Sequence, residues 1–338
     1  MPEGDTIYRT ARALEKALGG KVVTGFETGF AKLASVNYDS PVVGRTVEKV
    51  ESRGKWCLIF FSGDLILVSH MLMSGSWHVY RVGEKWFMPR SKMRVVITVR
   101  RTASASSDSL AENAVRGFPS EMTNKERGEG FQAVLFNAQV AEFHTSRSLE
   151  RSSQVPKLGP DVLAGEFSVD AGVAALRERK RTHPNDEIAV VLLNQRVIAG
   201  LGNVYKSEVA FAAGVNPFRR MSTITEAEMV AMVEASLKWM KANVLDGVGP
   251  RGETGEGIVT YSGPRRTTHA MDRSDRTWVY GRQGMECRRC GTAVMMRKQG
   301  EQVRSTYWCP QCQPWVGEGD APVGRATKLA RVARKIGC

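Results

Sequence analysis

The sequence predicts an α+β chain that ends in a metal-binding finger, and three observations predict it. Short β-like runs separated by tight turns occupy residues 21 to 144. Helical periodicity replaces them in the following half. Near the end stand two C-x2-C pairs, Cys287-Arg-Arg-Cys290 and Cys309-Pro-Gln-Cys312, with eighteen residues between them. The first pattern implies two packed antiparallel sheets in the N-terminal part, a β-sandwich with a flanking helix. The third implies a tetrahedral four-cysteine zinc site, each pair giving two thiolates from one turn and the intervening residues forming a β-hairpin. A redox or disulfide pair is the alternative, and one C-x2-C alone leaves it open; two pairs at this separation favour zinc. So small a finger has no hydrophobic core of its own in prospect, so the metal is expected to supply its folding energy.

Composition bounds the partners. The 338 residues contain 48 Lys and Arg against 35 Asp and Glu, a net charge of +13. That excess suits a polyanion. No run of eighteen apolar residues exists and no signal-peptide pattern opens the chain, so nucleic acid is expected rather than membrane. Four of six cysteines lie in the finger. Cys57 sits in the apolar run Trp56 to Phe61 and reads as a small buried hydrophobe. This usage suits a reducing cytosol; a nucleic-acid binder in a bacterial cytoplasm is expected to be nucleoid-associated.

In chain order, Ile7, Ala11, Leu14 and Leu18 recur at helical spacing, with Asp5 as expected N-cap and Gly19-Gly20 as the stop. Strands are expected at Lys21–Thr24, Thr46–Val50, Trp56–Phe61, Leu65–Ser69, Arg94–Val99 and Ala133–Phe136. Residues 101–130 are small, polar and charged, and read as a mobile insertion between two strands. Residues 145–155 read as a linker. Ile188 to Gln195 is apolar and helical, and a second helix running from Asn203 stops at Gly214. Between the two lie Gly200 and Gly202, which permit a tight turn and close approach by a large partner. Asn203 then stands at a helix N-terminus whose free N–H groups favour a phosphate; an ordinary helix corner with an Asn cap fits this stretch equally well. Thr225 to Val244 is a further helix, with Thr225 and Glu228 spaced as a capping box. Residues 246–276 are a Gly- and Arg-rich loop, and residues 317–338 form a basic tail.

Several separated stretches together resemble the formamidopyrimidine-DNA glycosylase and endonuclease VIII family. They are Met1-Pro2-Glu3-Gly4, Arg53-Gly54-Lys55, His70-Met71-Leu72-Met73-Ser74-Gly75, Leu158-Gly159-Pro160, Asn194 to Val197, Gly202 to Tyr205, Val279 to Arg282, the four cysteines, and Arg304 to Tyr307. The resemblance implies a two-sheet N-terminal catalytic domain over residues 1–144 and a helix–two-turn–helix domain over 145–280. A zinc finger over 281–316 and the tail follow. It also implies a bifunctional DNA glycosylase and abasic-site lyase, acting as a monomer on damaged duplex DNA with one structural zinc ion per chain.

By the same resemblance Pro2, exposed on removal of Met1, is the nucleophile. As a free secondary amine titrating near neutrality it can attack C1′ of a damaged nucleoside. Glu3 matches the acid/base residue; taken alone it is a first-turn carboxylate that favours a helix dipole. Lys55 matches a strand lysine that reaches the sugar–phosphate region, and Asn203 and Arg304 match phosphate-binding residues. Met73 matches the residue that fills the stack after base flipping; taken alone, a Met in a strand is core. The metal ligands are Cys287, Cys290, Cys309 and Cys312.

Two departures stand out, the first touching active-site hydrogen bonding and the second the substrate. Thr6 stands where many members carry glutamate. The Arg-Phe pair of purine-type members is missing after Phe136-Asn137. With the opening Met-Pro-Glu-Gly-Asp-Thr, which resembles the endonuclease VIII branch, this implies oxidised pyrimidines rather than 8-oxoguanine. A non-catalytic zinc-ribbon protein binding damaged or single-stranded DNA explains charge and cysteines but not Pro2, Glu3 and Lys55 together. A lyase acting mainly on abasic sites is the third possibility.

Overall fold

The computed structural model describes residues 2–100, 130–152, 155, 157–245, 267–268, 275–316 and 324. The expected insertion at 101–130 lies outside them except for Gly130. The loop at 246–276 and the tail at 317–338 also lie outside, but for Thr267, Thr268, Asp275, Arg276 and Gly324. The chain divides into two compact units. The first takes in Pro2 and residues 6–156; the second takes in Glu3–Asp5, residues 157–247 and the chain from 263 onward.

Helix α1 (Gly4–Leu18), which belongs to the first unit from Thr6 onward, begins one residue before the expected cap. Ile7, Ala11, Leu14 and Leu18 are all buried, as their spacing implied. Eight strands follow: β1 (Val23–Thr28), β2 (Val47–Arg53), β3 (Trp56–Phe61), β4 (Leu65–His70), β5 (Ser76–Arg81), β6 (Met93–Arg100), β7 (Gly130–Phe136) and β8 (Val140–His144). They form two four-stranded antiparallel sheets, ordered β1-β6-β7-β5 and β2-β3-β4-β8. Val95, Ile97 and Leu135 of one sheet share a core with Ile59, Phe61 and Leu67 of the other. Burying each such side chain stabilises the fold by roughly 1.5–3 kcal/mol. Helix α2 (Ala31–Asp39) carried no sequence signal, because Leu33 is its one buried residue.

The run Trp56 to Phe61 does not alternate, and packing explains why. Cys57, Ile59 and Phe61 face the sandwich core, while Leu58 packs with Ile66, Val68, Leu149 and Val155 on the opposite face. Leu149 belongs to helix α3 (Ser146–Arg151), inside the expected linker. Thr145 and Ser148 close a capping box there. One apolar residue was too few to signal it. Cys57 is fully buried as expected, and burial pushes its thiol up to about 12.

The second unit holds α4 (Val169–Thr182), α5 (Ile188–Leu193), α6 (Asn203–Ala212) and α7 (Glu226–Leu245), then the hairpin β9 (Met295–Gln299) and β10 (Arg304–Trp308). Its core joins Leu176, Ile188, Leu192, Ile198, Tyr205, Val209, Val233 and Met240. The expected box at α7 is present: the Thr225 N–H donates to Glu228 Oε2 at 2.8 Å and the Glu228 N–H to Thr225 Oγ1 at 3.2 Å. The hairpin fills the interval between the two cysteine pairs, in antiparallel register from Arg304↔Gln299 to Trp308↔Met295. As its size implied, the finger shares a core with its neighbours rather than holding one of its own. Cys287, Val294 and Cys309 bury against Phe211 of α6 and Val279, with Trp278 and Tyr307 alongside. A neighbouring helix supplies the apolar surface that the finger lacks. No described helix is long and apolar enough to cross a membrane.

Candidate functional site

Chain ends ordinarily fray because nothing holds them. Here Glu3 and Asp5 are fully buried in the second unit. The Gly4 N–H donates to the carbonyl of Gly200 at 2.8 Å. Glu3 Oε1 accepts from the N–H of Val204 at 2.8 Å, and Oε2 from that of Tyr205 at 3.4 Å. The Tyr205 hydroxyl donates to Asp5 Oδ2 at 3.1 Å. The large partner of the glycine turn is therefore the chain's own N-terminal segment. A Cβ on Gly202 would lie 2.3 Å from Glu3 Cδ, and one on Gly4 would lie 2.7 Å from Gly200 Cα. Gly200, at φ +99°, needs glycine on backbone grounds as well. Gln195 braces the turn: its side chain accepts from Gly200 N–H and donates to the carbonyls of Leu193 and Leu201.

Three expectations change. The N–H groups that open α6 are not free for a phosphate, because the Glu3 carboxylate holds two of them. Glu3 does favour a helix dipole, but that of α6 rather than of its own helix. Asp5 is not the cap of α1; it lies within the helix and accepts from Tyr205.

Helix α6 is buried on all sides, from Asn203 to Phe211. Asn203 Nδ2 lies 3.4 Å from the hydroxyl of Tyr280, and Asn203 Oδ1 is buried with no hydrogen-bond partner. Lys206, one turn on, is 1% exposed. Burial first, and then the Arg304 guanidinium, push its ammonium down to about 7; Glu3 and Glu187 work against them and Lys298 adds to them. Arg304, half-buried at the start of β10, reaches Gln302 Oε1 at 3.2 and 3.1 Å. Strand β10 lies against α6 through the Tyr307 N–H, which donates to Ser207 Oγ at 3.3 Å.

Glu208, on the same helix, is fully buried. Its carboxylate accepts the N–H groups of Trp278, Val279 and Tyr280 at 2.8–2.9 Å, and the hydroxyl of Thr267. Burial pushes its pKa up while these donors hold it down. It thereby orders the backbone that presents Tyr280 to Asn203. Neither Lys206 nor Glu208 was singled out in the sequence. Their signal was two opposite charges inside a short helix that is otherwise apolar or small.

The four cysteines converge. Their sulfurs all lie within 4.8 Å of one another, with Cys287–Cys312 at 3.8 Å and Cys290–Cys309 at 3.4 Å. Bonded sulfurs lie about 2 Å apart, so these are free thiols. Four thiolates around one tetrahedral zinc at about 2.3 Å stand roughly 3.8 Å apart, so the cluster fits a metal ion. Of the finger's cations, Arg288 pairs with Asp275 at 2.6 Å and Arg289 lies over the Phe211 ring at 4.4 Å. Lys298 is exposed.

Pro2, Lys55 and Met73 belong to the first unit. Pro2 is half-buried and joined by one peptide bond to Glu3. Lys55 occupies, with Gly54 (φ +57°), the two-residue turn joining β2 to β3. The turn after β4 exposes Met73 at 61% and buries Met71 at 2%, so Met73 is not a core methionine. Its neighbour Leu72 takes φ +48°, and the Leu72 N–H donates to His70 Nδ1 at 3.0 Å. Burial, with Lys55 nearby, pushes His70 down to about 4, so its ring is neutral near pH 7 and free to accept that bond. The β7–β8 connection consists of Asn137, Ala138 and Gln139, with Ala138 buried.

Comparison with known proteins matches residues 1–119 to the formamidopyrimidine-DNA glycosylase N-terminal domain and residues 158–251 to the corresponding H2TH domain. A probable endonuclease 8 2 of Streptomyces coelicolor is 32% identical over 96% of this chain and 98% of its own length. The DNA-(apurinic or apyrimidinic site) lyase Nei2 of Mycolicibacterium smegmatis is 31% identical over 93% of this chain and 99% of its own. Among solved structures, the Lactococcus lactis Fpg in complex with DNA containing an abasic site superposes with a TM-score of 0.67. It shares 20% identity over 93% of this chain and all of that one.

Proposed function

The chain belongs to the formamidopyrimidine-DNA glycosylase and endonuclease VIII family, and from that membership we infer that it is a DNA glycosylase and abasic-site lyase of base-excision repair. In this reading Pro2 is the nucleophile once Met1 has been removed. Its secondary amine bonds to C1′ of the damaged nucleotide, and the bond to the base breaks with its electron pair leaving on the base. Loss of the amine proton and opening of the sugar ring leave an iminium ion. That cation draws electrons from C2′, and the strand breaks by elimination of the 3′ phosphate. Glu3 supplies a proton to the opening ring and moves protons during elimination.

The observation that carries this reading is the seat of the amino-terminal segment. Four hydrogen bonds, from Gly4, Val204, Tyr205 and the Tyr205 hydroxyl, fix residues 3–5. A nucleophile at position 2 needs that preorganisation. Lys55, Asn203 and Arg304 contact the sugar–phosphate chain, and Met73 fills the vacated stack. Cys287, Cys290, Cys309 and Cys312 hold one zinc ion with a structural role: it fixes the hairpin that carries Arg304. Oxidised pyrimidines are the preferred lesions. The three-residue β7–β8 connection supports this, since it carries no Arg-Phe pair to hold a cytosine opposite the lesion.

Borohydride trapping on lesion-containing duplex tests the covalent step; absence of an adduct with abasic DNA would refute it. Single-turnover excision on matched duplexes tests the branch. Thymine glycol and dihydrouracil should be released faster than 8-oxoguanine opposite cytosine, and the reverse order would overturn that choice. A narrower reading, a lyase acting mainly on abasic sites, is favoured by the name of the Mycolicibacterium smegmatis relative. It predicts trapping on abasic DNA and none on base lesions.

A further inference from the structure

We propose that Lys206 is a positioning residue of the strand-binding surface, a buried cation behind Asn203 and Arg304 that takes up a proton when DNA phosphates occupy that surface. The inference rests on the assignment of Asn203 and Arg304 to phosphate contact.

Four geometric observations carry it. Lys206 follows Asn203 by three residues on α6, so the two share a helix face. Strand β10 is bound to that helix at the next residue, by Tyr307 N–H to Ser207, and Arg304 opens the same strand. Glu187 reaches this place from the front of α5: its Oε2 accepts from Gln299 at 2.7 Å, and Gln299 pairs with Arg304 across the hairpin. Lys206 itself is 1% exposed. The charged groups facing it are therefore Arg304 and Lys298 from the hairpin, Glu3 from the N-terminal segment and Glu187 from ahead of α5.

A buried ammonium is costly for a fold, and burial strips its proton. In free protein the Arg304 charge adds to that effect, leaving Lys206 near half-charged at neutral pH. The Glu3 carboxylate is held on the α6 amides. A phosphate on Arg304 neutralises the repelling charge and brings a negative one. Both changes favour the protonated lysine. Occupancy of the strand surface is thereby linked to the field at Glu3. By linkage, affinity for DNA is greatest where Lys206 can be charged and falls as pH rises through neutrality.

The test uses the full chain and a duplex carrying a tetrahydrofuran abasic analogue, titrated calorimetrically at pH 7.5 in two buffers of different ionisation enthalpy. Parent protein should take up a fraction of a proton on binding. Its Kd should weaken about fivefold from pH 6.5 to 8.5 at fixed ionic strength. Lys206→Arg, whose side chain stays charged, should keep tight binding while losing both the uptake and the pH slope. Lys206→Met should lose them too, bind less tightly at pH 6.5, and melt at a higher temperature because a buried charge has gone. If Lys206→Met does not fold, the arginine variant carries the test alone. Retention of the parent's uptake and slope in the variants overturns the proposal and leaves strand binding intact. Parent-like affinity in both Asn203→Ala and Arg304→Ala overturns the strand surface itself, and this proposal with it.

Discussion

At the scale of single residues, two buried carboxylates do different work. Glu3 meets two backbone N–H groups through both oxygens. Glu3→Gln keeps one acceptor but sets an NH2 group against the other donor. Base excision should fall by about 10²–10⁴-fold, the range for a lost general acid, while binding to the tetrahydrofuran duplex stays within a few-fold; equal losses in both would remove the catalytic role. Glu208 takes part in no proposed step. It gathers three amides and one hydroxyl. Glu208→Ala should destabilise the fold by about 3 kcal/mol or more, because each orphaned buried donor costs ~1–3 kcal/mol. Denaturant unfolding measures this, and a change below 1 kcal/mol would show that water replaces the carboxylate.

At the scale of elements, the turn between α5 and α6 and the cysteine hairpin can be tested separately. Gly202→Ala would set a methyl group 2.3 Å from Glu3 Cδ. Activity on abasic DNA should drop at least tenfold with zinc content unchanged; full activity would mean that the N-terminal segment can seat elsewhere. Cys309→Ser should lower metal content and DNA binding together. Arg304→Ala should keep about one zinc per chain and weaken binding by roughly 1–3 kcal/mol, with the salt slope reduced by about 1. Unchanged affinity at matched salt would give the hairpin another role. Much of this was legible in the sequence. Spacing gave the cysteine cluster, the hairpin, the Thr225–Glu228 box and the core face of α1. The partner of the glycine turn was not legible, because hydrogen bonds between residues 3 and 204 leave no local pattern. Helix α3 was missed because Leu149 is its only apolar residue, and Asp5 was misplaced because its partner is tertiary.

At the scale of the whole molecule, charge and connectivity matter. A net charge of +13 implies DNA binding that weakens steeply with salt. Chain connectivity matters more for chemistry: with Met1 retained, the Pro2 nitrogen is a tertiary amide and cannot attack. Protein carrying Met1, identified by intact mass, should give no borohydride adduct, and full-rate cleavage by it would refute the proline mechanism. Seating the N-terminal segment also has a consequence for biosynthesis. Glu3 finds its partner on Val204, 201 residues downstream. At synthesis rates of roughly 5–20 residues per second, the ribosome needs about 10–40 s to make that stretch. Throughout that interval Glu3 lacks the α6 amides that seat it. On the proline mechanism, removal of Met1 can therefore precede assembly of the site, and a chain released before α6 is made should not nick DNA.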